Sequence, residues 1–261
     1  MAELKFTENI EFIRTALQHY GLEHLLEGIE LTGCWGSAGK IVSQVKDKVP
    51  ENVLEEIYSV IDTPRMAYYA LMDIDSTVEI WRKVVAQSPR YAYYALHYID
   101  SSVNSWKITV CDSPKYAYMA LLYVDKNVPE WRNAVATCPV YSYYSLLDID
   151  ATYQPWIDTV GTNAEISYLA LLNIDKHLEL WKQAVMKSVE HTYFSLRDIN
   201  DSVPEWRNLI AKNPRWAYEA LLCIDKNVPE WRNAVAQNVT LSKLALLRID
   251  STYQPWLETV E

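Results

Sequence analysis

The sequence predicts an all-α chain of tandem helix-turn-helix repeats, and three observations predict it. Trp81, Trp106, Trp131, Trp156, Trp181, Trp206, Trp231 and Trp256 recur in an unbroken 25-residue step across eight repeats. Each step carries two short apolar stripes of helical period separated by a turn. The peptide DKNVPEWRNAVA occurs at 125–136 and again at 225–236, and ATYQPWIDTV at 151–160 is matched by STYQPWLETV at 251–260. Repeats three and four therefore resemble seven and eight, and the array reads as duplicated halves, 63–162 and 163–261.

Residues 1–62 lack the tryptophan step and read as a helical N-terminal capping region. TENIEFIRTALQHY (7–20) and LEHLLEGIE (22–30) have amphipathic helical patterns, while KVPENVLEEIYSVID (48–62) reads as a repeat's second helix with one residue missing and Asn52 in the place of tryptophan. Repeats then begin at Thr63, Ser88, Ser113, Cys138, Asn163, Ser188, Asn213 and Asn238. In the second, Ser88 is placed to cap the first helix, Pro89 sits in the first turn, and Ala92, Ala95, Leu96 and Ile99 form one stripe. Asp100 closes that helix, and Val103, Trp106 and Val110 make the stripe of the second. The turn position holds Asp75, Asp100, Asp125, Asp150, Asp175, Asn200, Asp225 and Asp250, so it calls for a short side-chain acceptor more than for a charge. Asn127, Ser202 and Asn227 precede Glu130, Glu205 and Glu230 by three residues, a capping-box spacing, with Pro129, Pro204 and Pro229 in the first turn. Gly161 is the array's only glycine, and a bend is expected there, at the junction of the halves.

A helix pair this short cannot bury its stripe alone, so neighbours must stack into one core. The expected architecture is an α-solenoid with a right-handed superhelix. It resembles the HEAT, armadillo and tetratricopeptide class in architecture only: the 25-residue period is shorter, and none of that class's sequence signatures is present.

Composition narrows function. The formal charge of −10 disfavours long nucleic acids and anionic membranes as partners. No run approaches the roughly 20 apolar residues of a membrane span, and the start has no basic end followed by an apolar core, so a cytoplasmic protein is expected. Cys34, Cys111, Cys138 and Cys223 have no metal-ligand spacing, nor do His19, His24, His97, His177 and His191 form one, so no metal or cofactor is expected.

Candidate chemistry is sparse. GCWGSAGKIV (33–42) ends like a phosphate loop, but Cys34 and Ile41 stand where glycine and Ser/Thr are required; it reads as a connector, with Trp35 packing on the first repeat. The eight periodic tryptophans share a face with valines and read as repeat core. Arg82, Lys107, Arg132, Lys182, Arg207 and Arg232 each follow a tryptophan; they support single-stranded nucleic-acid binding as an alternative, set against pairing with the turn aspartates. Asp148 and Asp198, two repeats or roughly 18 Å apart, are too distant for a glycosidase pair, and no nucleophile–base pair is visible, so no enzyme is expected. The seventh and eleventh places of the first helix vary most, and they supply the partner-binding candidates Tyr69, Asp73, Tyr94, Tyr98, Tyr123, Tyr144 and Asp148. Aromatics with carboxylates suit a protein or peptide with apolar and basic anchors. The leading expectation is a non-enzymatic protein-binding scaffold or inhibitor; an acidic mimic of nucleic acid blocking a basic protein is a further alternative. An exposed Trp256 in the C-terminal repeat would offer a homodimer contact.

Overall fold

The computed structural model describes residues 13–27 and 42–261; the phosphate-loop-like segment 33–41, Trp35 with it, lies outside the described residues. All regular structure among them is helical, and no described helix is long and apolar enough to cross a membrane. The chain divides into two compact units, Met1–Val135 and Ala136–Glu261. In the first unit, Glu51–Ser59 precedes the pairs Pro64–Asp73 with Glu79–Val85, Pro89–Tyr98 with Asn104–Val110, and Pro114–Tyr123 with Pro129–Val135. In the second the pairs are Pro139–Asp148 with Gln154–Val160, Ala164–Asn173 with Glu179–Val185, Val189–Asp198 with Pro204–Ile210, Pro214–Cys223 with Pro229–Val235, and Val239–Arg248 with Gln254–Val260. Every repeat is thus a ten-residue helix, a turn and a seven-residue helix. Within each unit the two helices of a repeat pack together, and successive long helices pack side by side, the pattern of a helical solenoid.

The tryptophans tie neighbouring repeats together within each unit. All eight expected core rings, Trp81, Trp106, Trp131, Trp156, Trp181, Trp206, Trp231 and Trp256, are buried. In the first unit Trp106 donates its indole N–H to the Arg82 carbonyl and Trp131 to that of Lys107, each at 2.9 Å, so each reaches back one short helix. In the second unit Trp181 donates to the Ile157 carbonyl at 3.1 Å, Trp206 to Lys182 at 3.2 Å, Trp231 to Arg207 at 3.0 Å and Trp256 to Arg232 at 2.9 Å. Trp156 meets Tyr153 edge-on at 4.7 Å, the same contact that Trp256 makes with Tyr253, so the duplicated TYQPW peptides pack alike. Burying one such ring contributes roughly 4–6 kcal/mol by area. Because the acceptor is backbone, the residue after a tryptophan can be Arg, Lys or Ile without disturbing the bond. Trp256 is fully buried and is therefore no exposed dimer contact.

The turns explain the scarcity of glycine. Asp100 Oδ1 accepts from the Ser102 amide at 2.9 Å and its hydroxyl at 2.6 Å, and Asn200 Oδ1 does the same with Ser202 at 3.0 and 2.6 Å. The carbonyl of Ala95 accepts from both Ile99 and Asp100, and that of Ser195 from both Ile199 and Asn200, which ends the long helix without a left-handed residue. Among the described residues only Gly21 has a positive φ, 70°. Gly161 is right-handed (φ −63°, ψ −5°), like its counterpart Ala86 (φ −64°, ψ −5°). What it provides is room, because a Cβ there would stand 2.8 Å from Leu180 Cγ.

Three local expectations are corrected. Ser88 occupies the N-cap but makes no side-chain cap bond, and Ser113 likewise; Asn163 and Asn238 reach their amides at 3.1 Å, whereas Thr63 and Ser188 manage only 3.4 Å, so the longer amide side chain suits this turn better. There is no capping box in the sixth and seventh repeats: Val203 and Val228 are the N-caps, while Ser202 and Asn227 are held through their own amides by Asn200 and Asp225. In the capping region, Trp81 donates to the Tyr58 carbonyl at 3.1 Å, which puts buried Ile57 in the tryptophan place and leaves Asn52 exposed. That helix runs nine residues rather than seven, so an alignment on its Pro-Glu start misplaces the register. Of the two expected amphipathic helices before it, residues 13–19 are helical, and Glu23–Leu26 is a single 3-10 turn.

Candidate functional site

The long helices set the outer face of the array by their period. Their fifth and eighth repeat places are small and buried, as in Ala92 and Ala95, which lets adjacent long helices approach closely. The tyrosine at the sixth place, Tyr68 or Tyr93, is buried beside them. The eleventh place falls off this stripe and is exposed in every repeat, whereas the seventh is exposed at Tyr69 and Tyr144 and half-buried in the others.

In the first unit the predicted residues divide by exposure. Tyr69 is 36% exposed, Tyr98 63% and Tyr123 58%, and Asp73 is exposed too, while Tyr94 is half-buried. Tyr94 packs between Tyr68 and Tyr91, with ring centroids 5.9 and 6.1 Å away, and the Arg90 guanidinium lies 5.6 Å over its ring. Tyr94 thus belongs partly to the frame. Tyr98 meets His97 edge-on at 4.3 Å, and His97 lies 6.0 Å from Tyr123 in the next repeat, so a histidine absent from the sequence-based candidates joins two of them. Lys115 lies over Tyr116, as Arg90 does over Tyr91, each at 5.6 Å. These cations, one residue past the helix-initiating proline, form a pattern visible in the sequence but masked there by the acidity of the chain as a whole. Burial, then the neighbouring phenols, pushes the Tyr68 and Tyr93 hydroxyls up to about 12.

In the second unit Tyr144 is 44% exposed and Asp148 is exposed. The face changes character beyond them. Asp198 accepts from the Tyr168 hydroxyl at 2.7 Å and pairs with both nitrogens of the Arg197 fork at 2.7 and 2.9 Å; Arg197, then Tyr168, hold its carboxyl below the usual range. Phe194 and Trp216 lie 6.3 Å apart, with Arg197 5.1 Å over Phe194.

The arginines after the tryptophans are engaged in the frame. Arg82 pairs with Asp100 at 3.3 Å, donates to the Ser76 carbonyl at 2.8 Å and lies 5.8 Å over Trp106. Arg232 pairs with Asp250 and lies 4.0 Å over Tyr253, and Arg207 lies 5.5 Å over Trp231. No group of His, Cys, Asp and Glu among the described residues has the arrangement of a metal site. Comparison with protein-family models, with curated proteins and with solved structures finds no match for this chain.

Proposed function

We propose that the chain is a non-enzymatic binding scaffold whose long-helix face recognises a protein or peptide. The observation that supports this best is the row of exposed tyrosines, Tyr69, Tyr98 and Tyr123, beside the frame tyrosines Tyr68 and Tyr93, which are buried. Tyrosine offers wide amphipathic contact at low entropy cost, and rings already ordered by an aromatic contact, as Tyr98 is edge-on to His97, lose still less on binding. Tyr144 and Asp148 present the same residue types in the second unit. Single-stranded nucleic-acid binding through the arginine stripe is disfavoured, because Arg82 and Arg232 already neutralise turn aspartates.

The test is affinity capture with the intact chain and with a Tyr98→Ala/Tyr123→Ala variant, each with and without nuclease. The reading expects a nuclease-resistant protein near equal stoichiometry that the variant fails to retain. Capture that vanishes with nuclease, or that the variant keeps in full, overturns it.

A further inference from the structure

A second feature lies at the other edge of the repeats, between the capping helix Glu51–Ser59 and the short helix Glu79–Val85. A groove of about 740 Å³ runs there, with no long-helix residue in its lining. Its counterpart in the second unit, between the short helices Glu179–Val185 and Pro204–Ile210, holds about 320 Å³. The capping helix accounts for the difference. It is longer than the seven-residue helices of the array, and it brings Tyr58, its ring tilted against that of Trp81 at 4.5 Å, to the place after the tryptophan, which most repeats fill with Arg or Lys.

The lining has a definite chemistry. Leu54, Val78 and Ile80 give it an apolar floor, and Ile80 is 40% exposed although the groove shelters it on one side. Glu51, Glu55, Glu56 and Glu79 ring that floor, against the single ammonium of Lys83. None of the four is in an ion pair among the described residues. In the counterpart groove charges are mixed, and Lys182 pairs with Glu179 at 3.8 Å. Four carboxylates against one ammonium leave the lining net negative, which complements a cationic partner. The volume is that of a site able to take several side chains.

We infer that this groove is a docking site for a basic amphipathic peptide segment of a protein partner, which sets apolar side chains on Leu54, Val78 and Ile80 and lysine or arginine against the glutamates. The site is separate from the tyrosine face. An amphipathic helix in a groove is the recognition mode that matches floor and rim together.

The test uses the full chain and a fluorescein-labelled peptide of about 16 leucines and lysines in helical register, with its glutamate counterpart as control, read by fluorescence anisotropy. Binding of the lysine peptide is expected, weakening about tenfold or more in Glu55→Gln/Glu79→Gln and less than about twofold in Glu165→Gln/Glu190→Gln, which removes the same charge from exposed sites elsewhere. Ile80→Ser is expected to weaken binding as well, and Tyr98→Ala/Tyr123→Ala to leave it unchanged, which separates this site from the tyrosine face. Equal loss in the two glutamate pairs would reduce the effect to net charge and overturn the proposal. Binding of the glutamate peptide, or no binding of the lysine peptide, would overturn it too. The glutamate-to-glutamine changes are isosteric and exposed, so the fold is retained in the deciding variants.

Discussion

Repeats three and seven share twelve consecutive residues and differ where the chain faces outward. Their tryptophans, Trp131 and Trp231, are both buried and donate to the preceding short helix at 2.9 and 3.0 Å. Their turn aspartates, Asp125 and Asp225, both hold the amide two residues on at 2.9 Å. Yet on the long helices Met119 and Tyr123 in one stand where Glu219 and Cys223 stand in the other. Frame and face are thus written by separate residues. The frame depends on backbone carbonyls, buried rings and one turn acceptor, so the face is free to vary.

The largest effect is expected at the tryptophans. Trp131→Ala and Trp231→Ala should each destabilise by about 3–5 kcal/mol in urea unfolding, and by similar amounts, because the rings do the same job in both repeats. A marked difference between the two would mean that the flanking repeats, not the ring, set the stability. Next come the turns. Asp125→Ala and Asp225→Ala should cost about 1–2 kcal/mol each, while Asp125→Asn should be nearly neutral, as Asn200 already performs the role.

The turn carboxylates also set an acid limit. Hydrogen bonds from Ser102 and Thr252 hold Asp100 and Asp250 below the ordinary range, Asp250 at about 2. A depressed folded pKa stabilises above the unfolded value and is lost as pH falls through the folded one. Helical circular dichroism should therefore decline between about pH 4 and pH 2. At the alkaline end the sign reverses: Tyr68, Tyr93, Tyr168 and Tyr193 are raised to about 12, so the stability they contribute is complete below about pH 10 and fades from there toward pH 12.

The smallest effect belongs to Ser145, whose buried hydroxyl has no partner among the described residues, while Ser195, at the same place two repeats on, bonds the His191 carbonyl at 2.8 Å. Ser145→Ala should be neutral or stabilise by up to about 1 kcal/mol in thermal unfolding, and Ser195→Ala should not.

Much of the frame was legible because it repeats. The tryptophan step set the period, and every ring from Trp81 to Trp256 is buried at the place it marks. Asn200 among seven aspartates pointed to a turn acceptor. What was illegible depended on small distances. Whether Ser88 reaches its cap is a matter of tenths of an ångström, and the capping box failed because Asn227 was already held by Asp225. The register of Ile57 against Trp81 emerged only from an indole bond. On the candidate face, exposure separates Tyr98 from Tyr94 although both are tyrosines of the same helix, and His97 joins Tyr98 to Tyr123 through space. The acid-rimmed groove has no sequence signature, since its two walls come from helices separated by a whole long helix.

The decisive measurement writes the face of repeat seven onto repeat three. A Met119→Glu/Tyr123→Cys variant should unfold within about 0.5 kcal/mol of the unaltered chain and bind the captured partner at least about tenfold more weakly, measured by titration calorimetry. Unchanged affinity in a folded variant would remove the tyrosine face from recognition, and loss of the fold would show that frame and face are not separable.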